Sequence, residues 1–332
     1  MNKRDKFLAF LDHVESEGYL PFHPILMHFA ARFNGNTYGE FASDHHVLVQ
    51  SNIRALEEFE ADWVELISDP YRETAAFGAK IEFIPEGVPR CIAPIIKTME
   101  DVRALKNPNL LQSARTLDRI RGAELYNQLL KGTVPVFGWI EGPLAEACDL
   151  VGVSEMLMML MIDSDFSNLL MDKCLITAKA FAKLQIDAGC DVIGIGDAIC
   201  SQIDLDLYDV YVKERHADLI SDIHQSGGKV KMHICGKITH LLPSLKDLGI
   251  DILDIDSQVN FEEAHDLMGP KVAICGNINP VLIQNLEADE ISRLTADLVR
   301  SEIGKKFILS GGCEITVNTP HRNLRALRSY SL

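Results

Sequence analysis

The sequence predicts an α/β fold of the TIM-type (β/α)8 barrel class, and three observations carry that prediction. Short apolar, β-branched runs alternate with stretches of helical periodicity, the pattern of parallel βα units. Eight such runs occur, at 25–30, 63–68, 134–140, 191–196, 229–235, 251–256, 271–277 and 307–311. Nearly every run ends on an ionisable or metal-coordinating residue, as expected where strand ends converge on one active mouth.

Taken in order, Met1-Asn2-Lys3-Arg4-Asp5 leads into an amphipathic helix bearing Asp12 and Glu15, a helical extension ahead of the first strand. No apolar h-region follows, so no signal peptide is expected. After the second strand the proline-bearing stretch 85–94 predicts an excursion, followed by a helix near 109–130. Helices are expected from 155 onward and over 205–225, with Gly227-Gly228 ending the latter as a C-cap. No Ser/Gly-rich linker interrupts the chain, which predicts a single domain over 1–332. Eight strands could also form an open nucleotide-binding sheet, but no G-x-G-x-x-G follows a strand. Gly194-x-Gly196 is only a fragment of one, followed directly by Asp197.

Composition narrows the function classes. Hydrophobic residues make up 47% and charged residues 24% of 332 residues, ordinary for a soluble globular chain. A formal charge of −16 argues against nucleic acid and against anionic membrane surfaces as partners. The apolar runs fall far short of the roughly 20 residues that cross a bilayer. Eight scattered cysteines do not read as a disulfide framework, which makes a reducing cytoplasm the expected location. Cys174, Cys190 and Cys275 read as small core residues.

The strand ends carry the chemistry. In order they present His28, Ser68-Asp69, Glu141, Asp197, His233-x-Cys235, Asp254-x-Asp256, Asn277 and, past the last strand, Cys313. A strand-end aspartate can equally cap the following helix, and for Asp69 and Asp197 both readings stand. Capping does not account for the whole ring. His233 and Cys235 are two apart on a strand, so their side chains leave one face. An imidazole and a thiolate so placed suit one tetrahedral zinc with bonds of about 2.0–2.3 Å. An isolated His-x-Cys reads sooner as a core histidine beside a core cysteine, by about two to one; Cys313 at the same mouth reverses that reading in favour of a metal. Three protein ligands with one open position is the catalytic pattern.

These residues carry a resemblance. The chain resembles the uroporphyrinogen decarboxylase superfamily over essentially its whole length. Within that superfamily it is similar to the zinc- and corrinoid-dependent methyltransferases, the coenzyme M methyltransferases and bacterial demethylation enzymes. The matching segments are Met232-His233-Ile234-Cys235-Gly236, Ile274-Cys275-Gly276-Asn277-Ile278-Asn279-Pro280 and Leu309-Ser310-Gly311-Gly312-Cys313-Glu314. The first and third carry the zinc ligands of the methyltransferase branch. The decarboxylase branch has Met-Arg-Gln-Ala-Gly-Arg where this chain has Met27-His28-Phe29-Ala30-Ala31-Arg32, so one of two substrate-holding arginines is replaced by His28. Asp69 matches the aspartate with which decarboxylases hold pyrrole N–H groups. The resemblance also implies a fourth zinc ligand at Asp256, where the methyltransferases have glutamate, with Glu141 the alternative oxygen ligand or a nearby base.

The implied function is zinc-dependent methyl transfer between cobalamin, carried on a separate corrinoid protein, and a small substrate. That substrate is a thiol or folate acceptor, or a methylamine or methoxylated-aromatic donor. Glu141, Asp197, Asp69 and His28 are the candidate catalytic residues, and His233, Cys235, Cys313 and Asp256 the candidate metal ligands. Trp139, Phe29 and Met27 are apolar candidates near the opening, and a homodimer is a further partner expectation. The competing classes are a metal-free uroporphyrinogen decarboxylase and a non-catalytic, zinc-stabilised binding barrel with His28 and Asp69 as remnants.

Overall fold

The computed structural model describes residues 1–13 and 18–329. Its centre is a curled parallel sheet of seven strands: β1 (Val64–Glu65), β2 (Val136–Glu141), β3 (Val192–Gly196), β4 (Lys229–Ile234), β5 (Ile252–Ile255), β6 (Ala273–Ile278) and β7 (Phe307–Gly311). Spatial order follows chain order, as successive right-handed βα crossovers require. The stretch 85–94 lies in a small antiparallel excursion that pairs Ile81–Glu82 with Arg90–Cys91.

The N-terminal extension is helix α1 (Lys3–Asp12), capped by the Asn2 side chain on the Asp5 amide at 2.8 Å. Glu15 lies outside the described residues. Phe7, Phe10 and Leu11 of α1 enter the N-terminal end of the sheet and cluster with Trp63, Phe137, Val192, Ile252, Ala273 and Ile308. The Phe7 ring lies 5.0 Å from Trp63 and 5.7 Å from Phe137. Ion pairs Arg4–Asp191 (2.7 Å) and Asp12–Lys229 (2.6 Å) fasten the helix to the strands it plugs.

One expected strand is a helix. Residues 25–30 run into α2 (Met27–Phe33), so His28 stands in a first helical turn and not at a strand end. The segment Met27–Phe33 has no β-branched residue and two alanines, which favours helix. The Glu314 carboxyl accepts the His28 amide at 2.9 Å and so satisfies one free N–H of the first helical turn. Extended chain comes earlier: Phe22 forms an isolated parallel bridge with Leu309. The Leu309 amide donates to Pro21 O (2.9 Å), the His23 amide to Leu309 O (3.1 Å), and the Asp62 amide to Phe22 O (2.9 Å). Pro21 and Pro24 have no N–H to give, which holds this segment to a bridge where a ladder of eight regular strands was expected.

Four covering helices bear on the site: α3 (Arg72–Ala76), α4 (Ala114–Leu130), α5 (Pro143–Val151) and α6 (Lys213–Gln225). The stretch expected as a helix over 205–225 contains a π turn, Tyr208–Val212, ahead of α6. Gly227 follows α6 at φ +90° and donates to His224 O, the expected C-cap. Cys174, Cys190 and Cys275 are buried, as expected. Among the described residues no helix is long and apolar enough to cross a membrane.

Phe7→Ala is expected to lower stability by about 3–5 kcal/mol, the usual result of emptying a buried phenylalanine site. Urea unfolding should show this as a lower midpoint at constant slope. A change below about 1 kcal/mol would mean that α1 does not close the core.

Candidate metal centre

Alternation along β4 places Lys231 and His233 on the inner face, and the chain continues so that Cys235 follows on the same side. His233 Nε2 lies 2.9 Å from Cys235 Sγ, and Cys235 Sγ lies 3.9 Å from Cys313 Sγ. The three donor atoms are all within 4.8 Å of one another. Glycines bring them together. Gly236, at φ +85°, turns the chain after Cys235 in a left-handed conformation. At Gly312 any Cβ would run into the Ser257 amide, so only glycine lets the loop after β7 press Cys313 against the others.

Asp254 pairs with His233 across β4 and β5, and its Oδ2 lies 3.1 Å from His233 Nδ1. A carboxylate there accepts the hydrogen bond of Nδ1–H and leaves Nε2 facing the thiols. Burial alone would lower the His233 pKa, but the Asp254 carboxylate outweighs it and pushes the imidazole up to about 10. The Cys313 thiol is held down at about 5, chiefly by the hydrogen bond from Cys235, with His233 adding to it. Cys235 moves up, because it is the donor in that hydrogen bond and is buried. Two sulfurs and an imidazole nitrogen at these separations suit a tetrahedral thiophilic cation such as zinc.

The other expected residues have different surroundings. Asp256 spends Oδ2 on the Gly236 amide (3.1 Å) and Oδ1 on the Gln258 amide (3.0 Å), which ties two loops together beside the sulfurs. It is not one of the three grouped donors. Asp197 faces outward, one position past Gly196, and is fully buried under helices. It accepts the Ala145 amide at 2.8 Å in the first turn of α5 and meets His216 Nε2 at 3.0 Å, with Tyr208 bonded to the other ring nitrogen. Its carboxylate therefore serves as a helix cap.

Asp69 is tied to the Arg115 guanidinium of α4, to Ser68 Oγ (2.7 Å) and to the Tyr71 amide (3.1 Å). Burial opposes its ionisation, yet Arg115 and Arg72 hold its carboxyl below the usual range. His28 stacks on Tyr38 at 4.8 Å, with Nε2 3.6 Å from the exposed Glu86. Phe29 packs among Phe33, Phe59 and His321 and so lies away from the opening, whereas Met27 and Trp139 share a small cluster with Ile25 and Ile67. Trp139 lies over Gly194 and Gly196, where a side chain would overlap the indole. The Gly-x-Gly fragment is thus the seat for that ring, whose centroid is 6.2 Å from His233.

Glu141 is on the inner face two strands from His233, since it pairs with Gly196 and Gly196 with His233. Two strand spacings make about 10 Å. Its Oε1 meets Arg72 at 2.7 Å, and its amide donates to Glu73 Oε1 at 3.0 Å. Around it α3 and α5 supply carboxyls that sequence reasoning missed: Glu73 and Glu146, both buried, and Asp149, largely buried. Unpartnered oxygens remain on Glu73, Glu146 and Asp149. Burial pushes Glu141 and Glu146 well above the carboxylate range, with neighbouring carboxylates adding to it; Arg72 offsets the shift at Glu141 only in part. Asp149 rises to about 8 for the same reasons.

A carboxyl whose pKa is raised by folding binds more protons folded than unfolded, so stability falls as pH rises between the two values. For Asp149 that window runs from about 4, the ordinary aspartate value, to about 8. Asp149→Asn is therefore expected to raise Tm at pH 8.5 and to change it little near pH 4.5. The scale is roughly 2–4 °C per kcal/mol relieved. An equal gain at both pH values would count against a buried, proton-holding Asp149.

The string Asp222-Ile223-His224-Gln225-Ser226-Gly227 has the D-x-H-x-x-G form of a cobalamin-binding segment. Here it is the last turn and cap of α6, with His224 paired to Asp251 (2.8 Å) at the opposite end of the sheet from the sulfurs.

Comparison with known proteins accords with this geometry. The family described as uroporphyrinogen decarboxylase (URO-D) matches residues 2–330. A methylcobamide:CoM methyltransferase of Methanosarcina barkeri is 24% identical over 281 residues, covering 82% of this chain and 81% of that protein. A uroporphyrinogen decarboxylase of Geobacter sulfurreducens is 26% identical over 254 residues, 74% of this chain and 73% of its own. Among solved structures, a methyltransferase from Methanosarcina mazei superposes with a TM-score of 0.90 at 20% identity, covering 99% of this chain and 98% of that one. The fold, the whole-length match and both groups of relatives lead to one conclusion: the chain belongs to the uroporphyrinogen decarboxylase family.

Proposed function

We propose that this protein is a zinc-dependent, corrinoid-dependent methyltransferase built as one (β/α)8 barrel domain over 1–332, the Phe22 segment serving as its eighth strand. It would move a methyl group between cobalamin, delivered on a separate corrinoid protein, and a small thiol, folate, amine or methoxylated substrate. The observation that carries this reading is the convergence of His233, Cys235 and Cys313 within 4.8 Å at the strand ends. The relatives named methylcobamide:CoM methyltransferase support the class.

His233, Cys235 and Cys313 would hold the metal, which would supply a Lewis acid that lowers a substrate thiol's pKa or stabilises a leaving heteroatom. Asp256 would be the oxygen ligand, and its carboxylate would then give up the hydrogen bond it accepts from the Gly236 amide. Glu141, whose carboxyl burial and neighbouring carboxylates push well above the usual range, would hold or return a proton beside the substrate. Met27 and Trp139 give an apolar wall next to His233. The same residues weaken the decarboxylase alternative. Uroporphyrinogen is rich in carboxylates, yet His28 replaces an arginine, and Asp69 is already engaged by Arg115.

Protein purified without chelator is expected to contain one zinc per chain and to exchange methyl groups with methylcobalamin. Cys313→Ala should weaken zinc by more than the roughly 10–100-fold seen when an outer partner of a ligand is removed. Metal-stripped protein that releases carbon dioxide from uroporphyrinogen at an undiminished rate would overturn the assignment in favour of the lyase.

A further inference from the structure

Lysine in mid-strand at the centre of a sheet's interior needs an explanation. Lys231 and Asp254 are both 0% exposed, and Lys231 Nζ lies 2.9 Å from Asp254 Oδ2. That same oxygen is 3.1 Å from His233 Nδ1, so one carboxylate oxygen joins the ammonium to the imidazole. The ammonium also lies over two indole rings, Trp63 at 5.8 Å and Trp139 at 5.9 Å. Among the described residues Asp254 has no ion-pair partner besides Lys231 and His233. A buried ion pair adds little net stability, since desolvation offsets the Coulomb gain and apolar residues of similar volume often pack as well. Stability is therefore a poor account of why this pair sits here.

We propose that Lys231 is a positioning residue for the metal centre, clamping Asp254 against His233 so that His233 Nε2 stays aimed at Cys235 and Cys313. This rests on the zinc reading above. An ammonium is a compact point charge on a long stem. Lying over two indoles, it fixes one carboxylate oxygen from inside the sheet, and that oxygen fixes the imidazole ring about its own axis. Without the clamp Asp254 can turn away, and His233 loses the partner that sets its orientation. Because Lys231 touches none of the three donor atoms, its effect must pass through Asp254.

The test uses the full-length chain as wild type, Lys231→Met, Lys231→Arg, Asp254→Asn and the Lys231→Met/Asp254→Asn double variant. Zinc affinity is measured by chelator competition, and the ligand field by absorption of the cobalt(II)-loaded proteins. Lys231→Met is expected to weaken zinc about 10–100-fold, the range for outer partners of a ligating histidine, and to shift the cobalt bands. Lys231→Arg should recover part of the affinity. The double variant should bind no more weakly than Asp254→Asn alone, as expected when one residue acts through the other. Lys231→Met within about twofold of wild type, with unchanged cobalt bands, would overturn the proposal. So would additive losses in the double variant. If Lys231→Met does not fold, the Arg and Asn variants decide: wild-type affinity and cobalt bands in Asp254→Asn sink the idea. Wild-type protein that binds no zinc fails the metal reading itself, and that outcome is separate because it precedes any variant.

Discussion

Successive side chains of a strand leave opposite faces of a sheet, and in a curled parallel sheet those faces are the interior and the helical layer. Every strand-end residue here is committed to one side by that parity. On β4 it sends Lys231 and His233 inward and brings Cys235 after them; on β3 it sends Gly196 inward and Asp197 out. Register does the rest. His233 has Gly196 on one side and Asp254 on the other. The glycine leaves room for the Trp139 indole, and the aspartate supplies the hydrogen bond that orients the imidazole. A one-residue slip of β4 would bury Met232 and Ile234 in the site and turn both metal-type donors toward the helices.

Charge inside the sheet is arranged in two contrasting ways. On one side each ion has a counter-ion: Lys231 with Asp254, and Arg115 with Asp69. Such pairs fix side-chain positions more than they stabilise the fold. On the other side Arg72 pairs with Glu73 and Glu141 alone, Glu146 and Asp149 add two more carboxyls, and burial with mutual repulsion raises the pKa of Glu141, Glu146 and Asp149. A thiolate-holding group and a proton-holding group thus face each other across two strands.

The sequence made some of this legible because parity and spacing are local. His-x-Cys on a strand implies a shared face wherever that strand lies, and Gly227 announces the end of α6. Residues 25–30 were misread because a short apolar run fits a strand or a buried helix equally well. The absence of β-branched residues after Leu26 was the signal that could have decided it. Asp197 and Asp254 look alike in the sequence, each at a strand end, yet one caps a helix outside and the other holds a histidine inside. Only the register of β3, β4 and β5 separates them. Lys231 was readable in principle as a charge alternating with His233 and Cys235. Glu73 and Glu146 were not, since glutamates on helices ordinarily face water, and only the packing of α3 against α5 buries them.

The pairing of these two neighbourhoods follows from electrostatics. A divalent ion held by two thiolates and an imidazole is close to neutral, so an incoming anionic sulfur leaves the group with one net negative charge. A carboxylate about 10 Å away would oppose that charge by roughly 1.5–2 kcal/mol at an effective dielectric of about 20. Four ionised carboxyls around Glu141, with one arginine to offset them, would therefore disfavour the anion by several kcal/mol. Protonated, they would impose almost none of that penalty. Burial of Glu73, Glu146 and Asp149 is thus more than a packing accident in this reading. By keeping protons on its carboxyls, the acidic side of the interior would let the sulfur side carry the negative charge of the proposed reaction.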